Sequence, residues 1–501
     1  MGGEGTHIGD PVALVAFVSY LIFMVLIGIF AAKFVSGSLG DFFLGGRRMK
    51  DYVVALSAVV SGRSAWLILG VSGLAYVRGV SAVWAVVGYI LVELFLFLFV
   101  GKRLRRYTAR RGDITLPDFF ESRFKDNRHI LRVVSAVIIV VFMVAYVSAQ
   151  LTAGGKAFSS SFGLSPMEGL WLTAGIVLIY TMLGGFLAVS LTDVLQAIFM
   201  LIGLVVLPWV AIARFGGLER VIAQLGSADA LMLDPWSVGL GGLVGFIGIG
   251  LGSPGNPHIL VRYMSVENPA QLRRSALLGT VWNVLMAWGA ILTGLVGRAT
   301  YPAREILPSA DTENLYTFLA ASHFPPLFFG LTVAAVFAAI MSTADSQLLV
   351  ASSGAVRDIY QRLFKQGSDL SGPEMVAISR VTVFVLVLLA IGLGVVAKGL
   401  IFWLVLFAWG GLGASFGPAV ILSLFWSRIT RWGVLAGFLS GTAVTVFWRL
   451  IPALKAITYE LVPGFIVSAL LVVGVSLLTA PPPEARLEIQ LISPTYRFGR
   501  K

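Results

Sequence analysis

Thirteen apolar stretches, most of them about twenty residues or longer, recur along this chain and constrain its fold more than any other feature. They cover approximately residues 11–32, 50–77, 81–101, 130–153, 165–185, 188–213, 237–261, 275–297, 325–351, 376–397, 399–424, 431–449 and 459–480. A spanning helix needs about 20 mostly apolar residues. Backbone exposed to hydrocarbon can satisfy its polar groups only within helices or closed barrels. The pattern therefore predicts an all-α integral membrane protein with thirteen transmembrane helices.

Composition supports this and excludes other classes. Only 12% of the residues are charged and 57% are hydrophobic. That is about half the charge of an ordinary soluble domain, and the reverse of a disordered composition. The net charge of +12 could suit a nucleic-acid binder, but such proteins are not this apolar; the expected surroundings are a lipid bilayer, with no nucleic-acid partner. The chain has no Cys and four His, which removes disulfides and thiolate sites. His7, His129, His258 and His323 fall on separate segments. No Ser/His/Asp set, metal-ligand spacing or phosphate loop emerges, so an enzyme is not expected.

The cations yield a topology. Alternating loops place 27 Lys and Arg residues on one face, with the densest group running from Lys102 to Arg132, and 9 on the other. Cationic loops stay cytoplasmic, so the N-terminus is expected outside and the C-terminus in the cytoplasm of a multi-pass cell-membrane protein. Arg262 is among the loop cations in this tally, and so are Lys365 and Lys398. The one cation left over is Arg63, in the middle of the second span. The first stretch lacks a basic n-region and is too long for a cleavable signal peptide. The expected organisation is an extracytoplasmic end over 1–10, a single membrane domain over 11–480 and a cytoplasmic tail over 481–501.

Two spans are unusually rich in Gly, Ser and Pro. The second contains Ser57, Ser61-Gly62-Arg63-Ser64 and Gly70-Val-Ser72-Gly73; the seventh contains Gly248, Gly250 and Gly252, then Ser253-Pro254-Gly255-Asn256-Pro257. Isolated glycines serve close helix packing, but two prolines three residues apart must interrupt the hydrogen-bond ladder. The second and seventh spans are five apart, so units of helices 2–6 (about 50–213) and 7–11 (about 237–424) would enter the membrane from opposite sides. Paired interrupted segments in inverted halves point to a secondary transporter.

Several motifs carry a more specific likeness. They are Asp41-Phe-Phe-Leu-Gly-Gly-Arg47, Lys102-Arg-Leu-Arg-Arg-Tyr107, Thr115-Leu-Pro-Asp-Phe-Phe120, Leu191-Thr-Asp193-Val-Leu-Gln196, Gly255-Asn-Pro-His-Ile-Leu260 and Met341-Ser-Thr-Ala-Asp345-Ser-Gln-Leu-Leu-Val350. In this order, over about residues 12–450, the chain resembles the sodium:solute symporter family, most closely its sodium/proline branch. The resemblance implies thirteen helices, a LeuT-like five-plus-five inverted repeat with two broken helices, and symport of a small organic solute, amino-acid-like or similar, with Na+ by alternating access.

Carried over residue by residue, the resemblance implies one sodium held by the carbonyls of Val60, Arg63 and Ala339 and the hydroxyls of Ser342 and Thr343. A second ion site, present in some members, would fall on Asp193, Ser342, Asp345 and Ser346. Substrate would lie between Ser57, Ser61, Gly62 and Ser64 on one break and Ile249, Ser253, Asn256 and Pro257 on the other. Beyond Na+, no cofactor or metal is implied.

This sequence departs from the pattern at Arg63, ordinarily uncharged, at Gly62, often Asp in the proline branch, and at Asp345, usually small or hydroxylated. A charge at mid-span costs about 2.5–3.5 kcal/mol even on lenient scales. We therefore expect Arg63 to pair with Asp345 across the sodium region, which opens a rival reading: a sodium-independent or proton-coupled carrier of the same fold. A channel or a sensor derived from the fold is a remoter alternative. Ile249 and Ser253 stand where the proline branch offers Trp and Tyr, which argues against proline itself, although Trp66 and Tyr76 remain. Glu93 is an intramembrane acid expected to face a polar crevice, with no assigned role. Substrate identity and oligomeric state are not legible.

Overall fold

The computed structural model describes residues 8–33, 39–183, 185–364, 372–396 and 399–493. Lys365, Lys398, the first seven residues and 494–501 lie outside these. Among the described residues every regular element is helical, and the sole β contact is an isolated bridge, Met49 to Val266. The main helices are α1 (Pro11–Ala32), α2 (Asp51–Ala65), α3 (Ser72–Arg78), α4 (Trp84–Phe95), α5 (Leu116–Phe124), α6 (Ile130–Phe162), α7 (Pro166–Leu183), α8 (Phe186–Phe215), α9 (Gly239–Gly248), α10 (Pro257–Ser265), α11 (Leu272–Thr300), α12 (Pro326–Ser353), α13 (Gly372–Val396), α14 (Ile401–Phe425), α15 (Arg431–Leu450) and α16 (Leu461–Leu478).

Among the described residues ten helical runs are long and apolar enough to cross a membrane, and two shorter apolar ones cover Pro166–Met182 and Gly239–Gly255. One run, Asp51–Arg111, has 61 residues, about 90 Å of helix at 1.5 Å per residue against a core of about 30 Å. It is not straight: Ser64 has φ 50° and Gly79 has φ 62°.

Large apolar side chains lie on the outside as well as in the core. Leu26, Phe30, Leu285, Trp288 and Leu470 are exposed, whereas Arg63, Arg123 and Arg262 are among the largest fully buried side chains. Apolar side chains facing outward suit lipid, and the mainly apolar interior also encloses a set of polar and charged groups.

The basic segments gather at one end of the helices. Arg47 donates to the carbonyls of Met264 (3.1 Å), Thr108 (2.9 Å) and Asp113 (2.5 Å). Thr115 and Asp118 form a reciprocal capping box at the start of α5, satisfying two donors that the helix leaves open. Arg132 then joins α5 to the extension of α12, with Asp118 at 2.5 Å and Asp358 at 2.6 Å. At the opposite end Lys156 holds Asp311 and Glu313, each at 2.7 Å, and the Glu313 carboxylate accepts the backbone N–H groups of Ile401 and Phe402 at 2.8 Å. A carboxylate is favoured there by the N-terminal dipole of α14.

The cation tally needs a correction. Arg262 is no loop residue: it lies within α10 and is 1% exposed. The apolar run of residues 237–261 ends just before it, so hydropathy alone assigned it to the flank.

Two predictions follow from this packing. A Cβ on Gly250 would stand 2.2 Å from the carbonyl oxygen of Gly88, and one on Gly88 would stand 2.0 Å from that of Ile247. This backbone-to-backbone approach leaves no side chain to yield, so Gly250→Val should destabilise by at least the 1–3 kcal/mol typical of overpacking (about), read as a lower melting temperature of the purified protein. The second concerns the Asp113 carboxyl, in the loop before α5, pushed up to about 7 chiefly by burial and further by Asp118. Asp118 is held at about 2, because Arg357 and Arg132 outweigh its own burial. A raised carboxyl pKa favours the protonated folded state, so this contribution is full below pH 4 (about) and fades as pH passes 7. The melting temperature should therefore fall from pH 5 to pH 8 more steeply in the wild type than in Asp113→Asn.

Candidate functional site

The first break is local in origin. Ser64 has φ 50° and ψ −172°, a region occupied almost only by glycine and costing about 1–3 kcal/mol. Its own hydroxyl accepts the Trp66 N–H at 3.1 Å, and Gln150 of α6 accepts the Ala65 N–H at 3.2 Å. The turn that follows, Trp66–Val71, is a π-helix. The second break lies at Asn256, with φ −91° and ψ 106°, between a 3₁₀ turn over Ile249–Gly255 and α10. The Asn256 amide donates to the Gly252 carbonyl at 2.8 Å, and the Trp409 indole of α14 donates to the Ile249 carbonyl at 2.8 Å. Both interrupted spans expected from Gly, Ser and Pro content are therefore broken.

Of the expected first ion set, one pair of oxygens meets between α2 and α12 and a second pair lies within α12 itself. The Thr343 hydroxyl lies 3.4 Å from the Val60 carbonyl, and the Ser342 hydroxyl 3.3 Å from the Ala339 carbonyl. All four residues are fully buried. The carbonyl of Arg63, the fifth member, accepts the Trp66 N–H.

A second cluster adjoins it. Asp193 of α8 accepts from Ser57 at 2.6 Å, and Ser61 lies 3.3 Å from it and from Ser346. Asp345 accepts the Ser346 backbone N–H at 2.6 Å. Arg262 stands among them, 3.1 Å from Asp193.

The expected pair of Arg63 with Asp345 does not form. Arg63 turns the other way: its guanidinium pairs with Glu93 of α4, donates to the Asn283 side chain of α11 at 2.8 Å and lies 3.6 Å from the centre of the Tyr89 ring. Asn283 also donates to Glu93 at 2.5 Å. Glu93, to which the sequence lent no role, is thus the counter-ion; an intramembrane carboxyl in the third span, next to the span that holds the intramembrane arginine, was the available signal. The physical reason is direction. Arg63 and Ser61 are two apart on a helix, so they leave it on different faces, and Ser61 takes the face toward Asp193 and Ser346.

Of the remaining residues, Ser253, Asn256, Ile249 and Pro257 are buried around the second break, and Ser253 Oγ and Asn256 Oδ1 have no protein partner. Gly62 packs beneath Ile259 and its carbonyl accepts from Arg63 at 3.2 Å. Trp66 lies beside the first break, stacked on Phe402 at 5.6 Å. Tyr76 is elsewhere, bonded to the Tyr301 carbonyl at 2.7 Å. The sequence reading missed Gln150, Trp409 and Arg262, which lie in ordinary-looking apolar runs or at their edges.

Removing one member of a buried ion pair strands the other and costs about 3–5 kcal/mol, whereas replacing both by apolar groups is often neutral. Arg63→Met and Glu93→Leu should each lower the melting temperature sharply, and the double variant should recover most of the loss. Arg63→Ala combined with Asp345→Ala should be additive within about 0.5 kcal/mol.

Comparison with known proteins agrees with this architecture. The family model described as "Sodium:solute symporter family" matches residues 42–441. The high-affinity proline transporter PutP of Bacillus subtilis (strain 168) is 40% identical over 92% of this chain and 97% of its own length. The osmoregulated proline transporter OpuE of the same strain is 37% identical over 93% and 94%, and a sodium/proline symporter of Staphylococcus aureus (strain JH9) is 39% identical over 92% of each chain. Among solved structures, a substrate-bound, outward-open Na+-coupled sialic acid symporter aligns with TM-score 0.78 and 20% identity, covering 94% of this chain and 98% of that one. That likeness shows a shared LeuT-like fold. With these motifs, this match and these relatives, the chain belongs to the sodium:solute symporter family and is a membrane transporter, not an enzyme.

Proposed function

We propose that this protein is a sodium-coupled symporter of proline or a closely similar small amino or imino acid. The observation that carries the reading is the approach of the Thr343 hydroxyl to the Val60 carbonyl beside the broken helix, with Ala339 and Ser342 buried on the same helix as Thr343. A hard cation of this size takes oxygen ligands at about 2.4 Å, and an octahedral shell of that radius has edges of about 3.4 Å. The 3.4 Å between the Thr343 hydroxyl and the Val60 carbonyl, here a hydrogen bond, is the length of one such edge. The ion supplies positive charge that ties the unwound α2 to α12. The chain supplies carbonyls already freed from the helix by the turn at Ser64, so little reorganisation precedes binding.

Substrate would bind between the two breaks. Ser253 and Asn256 offer buried polar atoms lacking protein partners, and Trp66 and Trp409 provide aromatic surface although Ile249 and Ser253 do not. The 37–40% identity to named proline transporters favours proline over an unrelated solute. Neutralisation of Arg63 by Glu93 favours sodium over the rival sodium-independent or proton-coupled carrier, since no bare guanidinium faces the ion ligands. In the same reading there are thirteen crossings, because the 61-residue run counts as two and the two shorter apolar helices as one each. Helices 2–6 and 7–11 form the inverted five-plus-five repeat, with the N-terminus outside and the C-terminus cytoplasmic.

Radiolabelled proline uptake into proteoliposomes tests this. Uptake should follow an inward sodium gradient and vanish when choline replaces sodium. Losing a hydrogen-bonding partner of a charged group costs about 1.5–3 kcal/mol. Ser342→Ala and Thr343→Ala should therefore raise the sodium concentration for half-maximal uptake about ten- to hundredfold. Uptake indifferent to sodium would exclude symport. Sodium-driven uptake of another solute but not of proline would exclude the substrate.

A further inference from the structure

Family resemblance assigns Asp193, Ser342, Asp345 and Ser346 to a second sodium in some members, but the structure places a protein cation among them. The Arg262 guanidinium lies 3.1 Å from Asp193 Oδ2, 2.5 Å from Ser346 Oγ and 2.9 Å from Ser57 Oγ, and it also donates to the His258 carbonyl of its own helix. Arg262 is 1% exposed and Asp193 is fully buried. We propose that Arg262 is a tethered cation occupying the second ion region of this protein, so that the chain binds a single sodium, at the Val60–Thr343 site.

The chemistry of the donor set carries the proposal. A guanidinium presents five N–H donors in a rigid fork. Here they reach oxygens from three different helices, α2, α8 and α12, besides that of α10 itself. A sodium ion sharing this region would have to take Asp193 Oδ2 and Ser346 Oγ from a fixed positive charge and then sit beside it, with like charges repelling in a site shielded from water. Asp193 thereby has its counter-ion within the protein. One oxygen of Asp345, Oδ2, has no protein partner, so the carboxylate cluster retains a further acceptor once the guanidinium is removed. Arg262 and Ser346 also line a largely apolar cavity with Phe43, Phe186, Val261 and Leu349.

This inference rests on the sodium reading above, and the experiment separates the two. Equilibrium binding of ²²Na+ alone is counted per chain on the purified full-length protein, for wild type, Arg262→Gln and Arg262→Gln/Asp193→Asn. The expected counts are one, two and one. A wild-type count of two overturns the proposal whether or not the variants fold, and so does a folded Arg262→Gln that gains no ion. A wild-type count of zero overturns sodium coupling instead; a gain of one ion in Arg262→Gln would even then support occupancy of the region by the arginine.

Discussion

In hydrocarbon a backbone N–H or C=O without a partner costs several kcal/mol, and the whole architecture depends on how this chain meets that cost at its two breaks. At Ser64 the Ala65 N–H is accepted by Gln150 and the Trp66 N–H by the Ser64 hydroxyl. At Asn256 the side-chain amide and the Trp409 indole satisfy the carbonyls of Gly252 and Ile249. These partners come from α6 and α14 as well as from the broken spans, so neither break is stable without its neighbours. Irregular backbone at membrane depth is tolerated only where protein encloses it. Once enclosed, it leaves oxygens such as that of Val60 to accept from other helices, here from Thr343 of α12.

The same economy governs charge. Two arginines are buried beside the ion region, and each has its own carboxylate: Arg63 has Glu93, and Arg262 has Asp193. Asn283 braces the first pair, while Ser57 and Ser346 brace the second. Buried pairs of this kind add little net stability, because desolvation offsets attraction. Their effect is on register. Arg63 fixes α2 against α4 and α11, and Arg262 fixes α10 against α2, α8 and α12. Since Arg63 is paired with Glu93, α2 carries no uncompensated guanidinium.

Much of this was legible in the residues themselves. Among the described residues the expected apolar stretches are mainly helical, and Ser-Pro-Gly-Asn-Pro marked the second break because proline has no N–H to donate and clashes with the preceding turn. Ser342 and Thr343, with Val60 and Ala339, entered through the family resemblance, and the structure brings Thr343 against Val60. The wrong partner for Arg63 arose because spacing along one helix says which residues share a face, not which other helix that face meets. Arg262 was missed for a related reason: hydropathy ends a span at its first charge, whereas a charge with a carboxylate waiting inside can lie deep within the helix.

The sequence by itself determined the class, the helical runs, the positions of both breaks and the family, since these follow from local chemistry: apolar length, proline and glycine geometry, and ordered motifs. Only the tertiary structure decided which charges neutralise one another. A buried charge is governed by whatever lies within a few ångströms of it, and Arg63 and Glu93, thirty residues apart, or Arg262 and Asp193, sixty-nine apart, become neighbours only when the helices pack.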